Sequence, residues 1–574
     1  MAKKRRGTGD QQLASAEEHA VKSESLFEAK QYADAALEAE KALQCLPLMA
    51  RSSLTRGRAL LYPALSKMVQ EGGLPPAGLL EEAGRHFTLA VRLDPECEEA
   101  KGEVDSLQKL LSDLPQDPAP ASAAGKEPSG AAAAVDVIIV GAGAAGVGCA
   151  LMLTKTFGLD ASRVLLIERG EGVGDTFRRW PAEMRFISPS FNNQGWTNSF
   201  DLNSVAHGSS PAYSLHAQHP SGGQYADYLD ALASLAKLNV RTLTEVISVK
   251  AEGGKGGPPR FRVGVRSQPG SSEHAARRPA RAGETLTARY VVWAAGEFQY
   301  PREGGGAIAG AELCRHNSRV RSFASLPGDD FVVIGGYESG ADAAVNLAKA
   351  GKQATVLAST ATWDVHSADP SVELAPYTAE RLRAVTAPGF SPRPKLLAPL
   401  RVLRVERAAG GGFDVVASWK AAESMPPPGP LRKPLGADAT DRGAEGSEVV
   451  VHTAQPPLLC TGFEGSVASM ARNLFAFADA AEEAKGCLAG APLLTEDDES
   501  TKVAGVFLVG PAVRHGEHSF CFVYKFRQRF GIVANAICRG LGRRDTQMAV
   551  EVARKMNMYL DDLKCCEATC GEAC

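Results

Sequence analysis

The stretch from Val135 to Glu168 constrains the fold more than any other part of this chain. An apolar strand, Val135-Asp136-Val137-Ile138-Ile139-Val140, runs into Gly141-Ala142-Gly143-Ala144-Ala145-Gly146. A small-residue helix follows with Gly158 as its stop, and a second strand, Arg163-Val164-Leu165-Leu166-Ile167, ends at Glu168. In such a unit Gly141 permits the tight turn, Gly143 lets backbone amides approach a pyrophosphate, and Gly146 lets the helix pack closely on the sheet. The helix N-terminus then faces phosphate charge, and Glu168 is placed for ribose hydroxyls. Three spaced glycines alone are a weak signal; the order strand, glycines, helix, strand, carboxylate is a strong one. It reads as a cradle for the ADP half of a dinucleotide.

A second unit of the same kind begins at Phe331-Val332-Val333-Ile334 and continues through Gly335-Gly336-Tyr337-Glu338-Ser339-Gly340. Its helix runs to Ala350, Gly351 stops it, and a strand follows at Ala354 to Leu357. The segments Val291-Val292-Trp293-Ala294-Ala295-Gly296 and Pro457-Leu458-Leu459-Cys460-Thr461-Gly462 are hydrophobic strands that each end in a small-small-glycine turn. Two nucleotide folds in one α/β chain imply one resident and one exchanging dinucleotide, a flavin and a nicotinamide. In the second fold Tyr337 replaces the middle glycine, and a side chain there obstructs the close backbone approach of a pyrophosphate. Ser359 and Thr360 stand where an arginine would hold an NADP phosphate, and Asp364 is the nearest acid, so NADH and NADPH stay equally open.

The residues before these units are helical by period, with Leu26, Phe27, Tyr32, Ala35, Ala39, Ala42 and Leu43 on recurring faces and Pro47 as a stop. They resemble a tetratricopeptide repeat in the placing of Tyr32, Ala35, Ala42 and Pro47. A second, interrupted copy has a helix from Arg51 to Val69, an insert from Gln70 to Ala77 and then Ala83, Phe87, Ala90 and Pro95. A last helix is expected over Glu98 to Leu114. The block is short for a free-standing solenoid and is expected to lean on the next domain, with a partner-protein groove as its functional reading. The layout is thus a disordered basic tail (1–14), the tetratricopeptide-like all-α region (15–114) and a flexible linker (115–134). The first part of the FAD-binding domain (135–300) follows, then the NAD(P)-binding domain (301–455), the second part of the FAD-binding domain (456–563) and a cysteine-rich tail (564–574). Residues 252–284 and 421–447, rich in glycine, proline and charge, read as surface insertions.

A net charge of −3 over 574 residues supports neither nucleic acid nor an anionic membrane as partner. No run approaches the ~20 apolar residues of a membrane span, and no apolar segment follows the basic Lys3-Lys4-Arg5-Arg6, so a cytoplasmic protein is expected. Of 12 cysteines, eight sit singly in apolar or helical settings, among them Cys149, Cys460, Cys521 and Cys538, and read as small buried hydrophobes. The other four, Cys565, Cys566, Cys570 and Cys574, crowd the last ten residues. Adjacent Cys565 and Cys566 suit an easily reduced disulfide, and on a helix Cys566, Cys570 and Cys574 would share one face, a possible site for a soft metal.

Over about residues 135 to 563 the chain resembles the two-dinucleotide flavoprotein superfamily of flavin-containing monooxygenases, bacillithiol disulfide reductases and thioredoxin reductases. Besides the motifs above, Gly174-Asp175-Thr176-Phe177 with Trp180 is similar to the segment that covers the flavin there. Gly505-Val506-Phe507-Leu508-Val509-Gly510 is similar to the late strand beside the flavin ring. The resemblance implies two Rossmann-like domains, FAD held by Gly141, Gly143, Gly146, Glu168, Thr176 and Gly510, and NAD(P)H held by Gly335, Gly336, Ser339 and Gly340. Pro511 replaces the aspartate often found after the last glycine. The region after it supplies His515, Glu517, His518 and Lys525 as candidates to stabilise reduced flavin or move a proton. Two departures limit the chemistry. Residues 297 to 455 contain Cys314 alone, so the C-x-x-C of a thioredoxin reductase is missing, and His316 falls two residues too late for the monooxygenase hallmark. The expected function is an FAD-dependent oxidoreductase that takes hydride from NAD(P)H and passes electrons to a disulfide, thiol compound or soft metal, with Cys565 and Cys566 as relay. The alternatives are a flavin-containing monooxygenase acting on a small molecule and a non-catalytic redox sensor or scaffold.

Overall fold

The computed structural model describes residues 9–45, 50–71, 80, 83–84, 86–88, 90–91, 97–113, 135–190, 201–252, 260–269, 283–303, 308–364, 373–421, 443–478, 490–516 and 518–563. The linker 115–134, Glu517, Pro47, Pro95 and the four cysteines of the tail lie outside them.

Val135–Val140 is apolar at almost every position because both faces of its sheet are covered, and all but its first residue are buried. It sits inside five parallel strands in the order Asn239–Arg241, Val164–Ile167, Val135–Val140, Glu284–Trp293, Val506–Leu508. The last strand joins only after the chain has built its second domain. Two distant stretches of sequence therefore close one sheet.

Glu284–Trp293 serves two sheets' worth of partners. Its second half pairs with Val506–Leu508, and its first half pairs antiparallel with Arg260–Ser267, which pairs in turn with Thr244–Glu252. Arg260–Ser267 corrects the expectation that 252–284 is only a surface insertion. Phe261, Val263 and Val265 alternate with Arg260, Arg262 and Arg266, and the three apolar side chains are buried in the domain core. The period of two marks a strand that the glycine-rich and charged residues on either side obscure.

The second domain repeats the plan. Lys395–Leu397, Gln353–Leu357, Asp330–Ile334, Leu458–Leu459 and Arg315–His316 form a parallel sheet in that order. A three-stranded antiparallel sheet, Leu400–Arg407, Phe413–Trp419 and Glu448–Thr453, packs beside it. Glu183 joins the two domains: its carboxylate accepts from the Ser322 hydroxyl at 2.5 Å and from the N–H groups of Phe323 and Ala324 at 3.1 Å each. The rings of His219 and Tyr377 stack across the same boundary with centroids 3.7 Å apart.

The described residues of the N-terminal block include the helices Gly9–Glu28, Tyr32–Cys45, Ala50–Glu71 and Glu98–Asp113. The first helix begins inside the span read as a disordered tail, where Gln11, Gln12, Leu13 and Ala14 are good helix formers. Ala20, Ser23, Ala35, Ala39 and Ala42 are fully buried, so small side chains let the helices approach closely. The block also reaches the first domain: Tyr213 feels the charges of Glu17 and Arg51.

Candidate active site between two nucleotide cradles

The first cradle is made by steric exclusion. Gly141 has φ +104°, where a side chain is strained, and a Cβ added there would approach the Ala294 carbonyl oxygen to 2.7 Å. A Cβ at Gly146 would overlap the carbonyl oxygen of Gly141. Gly143, which caps the helix Ala144–Leu151, has no atom within 4 Å of such a position, so the space in front of the helix is open. Glu168 closes the far side. Its carboxylate accepts the N–H of Ala142 at 2.9 Å and of Gly170 at 2.7 Å, which fixes it at the strand end beside the glycine turn. Burial raises its pKa, and these two N–H groups oppose that shift. Open space before a helix N-terminus, with an oriented carboxylate at the next strand end, fits an ADP moiety.

The second cradle has the same backbone. Gly335 has φ +107°, a Cβ there would overlap the Cys460 carbonyl, and one at Gly340 would overlap the Gly335 carbonyl. Gly336 has no room for a Cβ against Ala358 and Trp363. Tyr337 caps the helix Glu338–Lys349 with φ −83° and ψ −164°, next to −83° and −167° at Gly143. That conformation suits any residue, so the tyrosine costs the turn nothing and only its side chain bears on a ligand. Glu338 accepts from the Ala375 N–H at 2.5 Å and the Thr378 hydroxyl at 2.6 Å, which ties its carboxylate sideways to the helix Pro376–Thr386. At the end of Gln353–Leu357, the Lys420 ammonium donates to the Ser359 carbonyl at 3.2 Å. This cation comes from the far end of Phe413–Trp419 and not from the residues that follow Gln353–Leu357.

One cavity of about 400 Å³ opens on both cradles. Gly141, Gly143, Glu168 and Thr176 line it from the first, and Glu338, Ser339 and Asp342 from the second. Thr176 accepts a hydrogen bond from Gln299 at 3.3 Å. Phe177 packs on Trp180, Phe186 and Tyr225, which holds the covering segment against the helix Gly222–Leu235. Gly510, at φ +106°, lies against Ala145 and brings Pro511 to the cavity wall.

Three of the four candidates for proton transfer after Gly510 are placed away from the cavity wall, and Glu517 lies outside the described residues. His515, His518 and Lys525 are not among the residues lining the cavity. Arg514–His515 and His518–Ser519 pair as a tight hairpin, and His515 Nε2 turns to Asp498 at 2.5 Å. Among the described residues His518 Nε2 is buried without a hydrogen-bond partner, and the Lys525 ammonium sits 5.8 Å from the centre of the Phe522 ring. Cys521 is the opposite case. It was expected to be a buried hydrophobe like Cys149, Cys460 and Cys538, which are buried, yet it is exposed and lines the cavity. Cys565, Cys566, Cys570 and Cys574 lie outside the described residues, among which no group of three or more metal-ligating side chains occurs. No helix of the described residues is long and apolar enough to cross a membrane.

Residues 138–263 and 280–392 match the sequence model of a family described as pyridine nucleotide-disulphide oxidoreductase. Among solved structures the chain is similar to bacillithiol disulfide reductase from Staphylococcus aureus, at 17% identity and TM-score 0.48 over 71% of this chain and 98% of that one. It is similar also to a flavin-containing monooxygenase from Stenotrophomonas maltophilia, at 16% identity and TM-score 0.43 over 71% of this chain and 98% of that one. A thioredoxin reductase from T. acidophilum shares 15% identity at TM-score 0.39, over 71% of this chain and 99% of that one. The family match takes in the glycine turns of both cradles, and residues of both cradles line one cavity.

Proposed function

We propose that the enzyme uses NADPH to reduce a disulfide, with the C-terminal cysteines as a further station for the electrons. The observation that carries this reading is the single cavity shared by both cradles, because hydride transfer needs the two rings in contact. Gly141, Gly143 and Glu168 would hold the ADP half of the flavin, and Thr176 would meet it from the covering segment. Gly335, Gly336, Ser339 and Gly340 would hold the nicotinamide dinucleotide. Bound flavin supplies a carrier that takes two electrons from one partner and gives them to another. The protein's part is to orient both dinucleotides and to keep bulk water away through the aromatic cover of Phe177, Trp180 and Phe186. Lys420 supports NADPH over NADH, since it places an ammonium where the adenosine 2′-phosphate would lie, at the end of Gln353–Leu357. The name of the matched family supports a disulfide as acceptor. The helical N-terminal block is proposed to bind a partner protein in the manner of tetratricopeptide repeats, and the compartment is proposed to be the cytoplasm.

Anaerobic stopped-flow absorbance tests the reading. Mixing with NADPH should bleach the oxidised flavin band, and the full chain should take up more electrons than a chain ending at Leu563. A flavin that stays oxidised in excess NADPH and NADH would overturn it. Oxygen-dependent NADPH consumption that is indifferent to removal of the tail would instead identify a monooxygenase.

A further inference from the structure

We propose that a second pocket, lined by four arginines near the C-terminal end of the first domain, binds the diphosphate group of a small molecule. This pocket shares no residue with the cavity between the cradles, so its ligand is independent of the acceptor step proposed above.

The pocket has a volume of about 570 Å³ and is lined from the helices Phe530–Gly540 and Gln547–Lys555, from the turn that joins them and from Tyr559. Gly542, at φ +84°, reverses the chain after the first of these helices. Arg543 then fastens the turn: its Nη1 donates to the carbonyl oxygens of Phe157 and Gly158 at 2.8 and 2.9 Å. Those carbonyls end the helical run that starts at the first cradle, so the pocket is built on the same rigid scaffold.

Its charge is one-sided. The guanidinium groups of Arg539, Arg543, Arg544 and Arg554 line it, and no carboxylate does among the described residues. Asp545 lies 3.8 Å from Arg543 and Asp561 2.5 Å from Arg554, so those two cations are compensated from outside the pocket. Glu551 is reached by the Gln547 amide at 3.4 Å. Arg539 and Arg544 are exposed and make no hydrogen bond or ion pair among the described residues; Arg539 has only the longer-range field of Asp497. Two unpaired guanidinium groups on one concave wall repel each other until an anion lies between them. Each offers a planar fork of N–H donors that matches phosphate oxygens, and two forks suit two bridged phosphoryl groups. The carbonyl end of Phe530–Gly540, which would repel an anion, is met at the Gly540 oxygen by Arg289 at 3.1 Å.

Asn535 is the second, independent observation. Its amide N–H donates to the Tyr559 hydroxyl at 3.0 Å, while its Oδ1 is buried with no hydrogen-bond partner among the described residues, and both side chains line the pocket. Turned over, the carboxamide would accept from Tyr559 and leave its N–H donors unpaired instead, so in either setting one polar end is left for a ligand. A buried polar atom without a partner is costly, and a ligand group that meets it removes the cost. Thr546 and Gln547 open the helix Gln547–Lys555 on the same wall, and no side chain caps its first turn. A phosphate oxygen there takes the place of the missing cap.

The test uses the full FAD-loaded chain and inorganic pyrophosphate, titrated by calorimetry, with sulfate at matched ionic strength as the control. Pyrophosphate should bind more tightly than sulfate, and R539A and R544A should each weaken it at least about tenfold. Binding should persist in Gly340→Ala, where the second cradle is obstructed. Pyrophosphate should also shield Arg539 and Arg544 from phenylglyoxal, as read by peptide mass spectrometry. Unchanged flavin absorbance of R539A and R544A reports that they fold. In the Gly340→Ala background, ADP binding tighter than pyrophosphate assigns an esterified diphosphate, and weaker binding a free one. Sulfate binding as tight as that of pyrophosphate would show a mere patch of charge and overturn the proposal. So would affinity indifferent to R539A and R544A, binding lost in Gly340→Ala, or phenylglyoxal modification that pyrophosphate does not slow.

Discussion

Arg529 grips the carboxylate of Asp498 with two nitrogens, Nε at 3.0 Å and Nη2 at 2.9 Å, and both side chains are almost wholly removed from solvent. The guanidinium also donates to the carbonyl oxygens of Glu496 and Leu560 at 2.5 Å each, and His515 shares the same carboxylate. The pair fastens the return strand Val506–Leu508 and the helix Phe530–Gly540 to one buried point, which gives His515 a place in the scaffold. Replacing Arg529 with Leu leaves a buried carboxylate without its cation. It should cost about 3 to 5 kcal/mol of stability, read by urea denaturation. A loss below about 1 kcal/mol would show that water reaches Asp498.

The glycines Gly146 and Gly340 do the same steric job in two different cradles, so Gly→Ala at each should separate the cofactors. In Gly146→Ala the new methyl overlaps the Gly141 carbonyl, and the purified protein should lose FAD. In Gly340→Ala the overlap is with Gly335, and FAD should remain while reduction by NADPH slows at least about tenfold. The flavin content and the bleaching rate of the two variants check this; a Gly340→Ala protein that loses flavin would mean the second cradle is not the nicotinamide site.

Lys420 and Tyr337 act on the nicotinamide dinucleotide from different ends. Lys420→Ala should raise KM for NADPH about tenfold and leave KM for NADH unchanged, since one charge-assisted phosphate contact is worth about 1.5 to 3 kcal/mol. Tyr337→Gly should lower KM for both nucleotides, because the backbone already has the angles of Gly143 and only the side chain stands in the way. Steady-state rates with each nucleotide decide; equal effects of Lys420→Ala on the two would remove its role at the phosphate.

In the N-terminal block Lys41, His19 and Lys22 surround Glu38 and hold its carboxyl at about 2, against the ordinary 4.5. A folded-state pKa below the unfolded one means stability that is complete above pH 4.5 and lost as pH falls towards 2. Helix signal at 222 nm should therefore decline over that window. In Glu38→Gln the decline should be shallower, with lower stability at neutral pH. A variant that titrates as wild type does would place the acid sensitivity elsewhere.

The sequence by itself determined the two glycine turns, because the constraints there are local. Gly141 and Gly335 need positive φ, and Gly146 and Gly340 leave no room for a side chain beside a carbonyl only five residues earlier. The resemblance of the late strand Gly505 to Gly510 was likewise legible, and Val506–Leu508 does return to the first sheet. Arg260–Ser267 was missed because its alternation is short and lies between stretches without pattern. Only the tertiary structure decided which side chains face the cavity. Lys420 meets Ser359 from 61 residues away, His515 is drawn off by Asp498, and Cys521 is exposed on the cavity wall. Exposure and pairing are properties of packed surfaces assembled from distant segments, whereas a glycine turn is decided by atoms a few bonds apart.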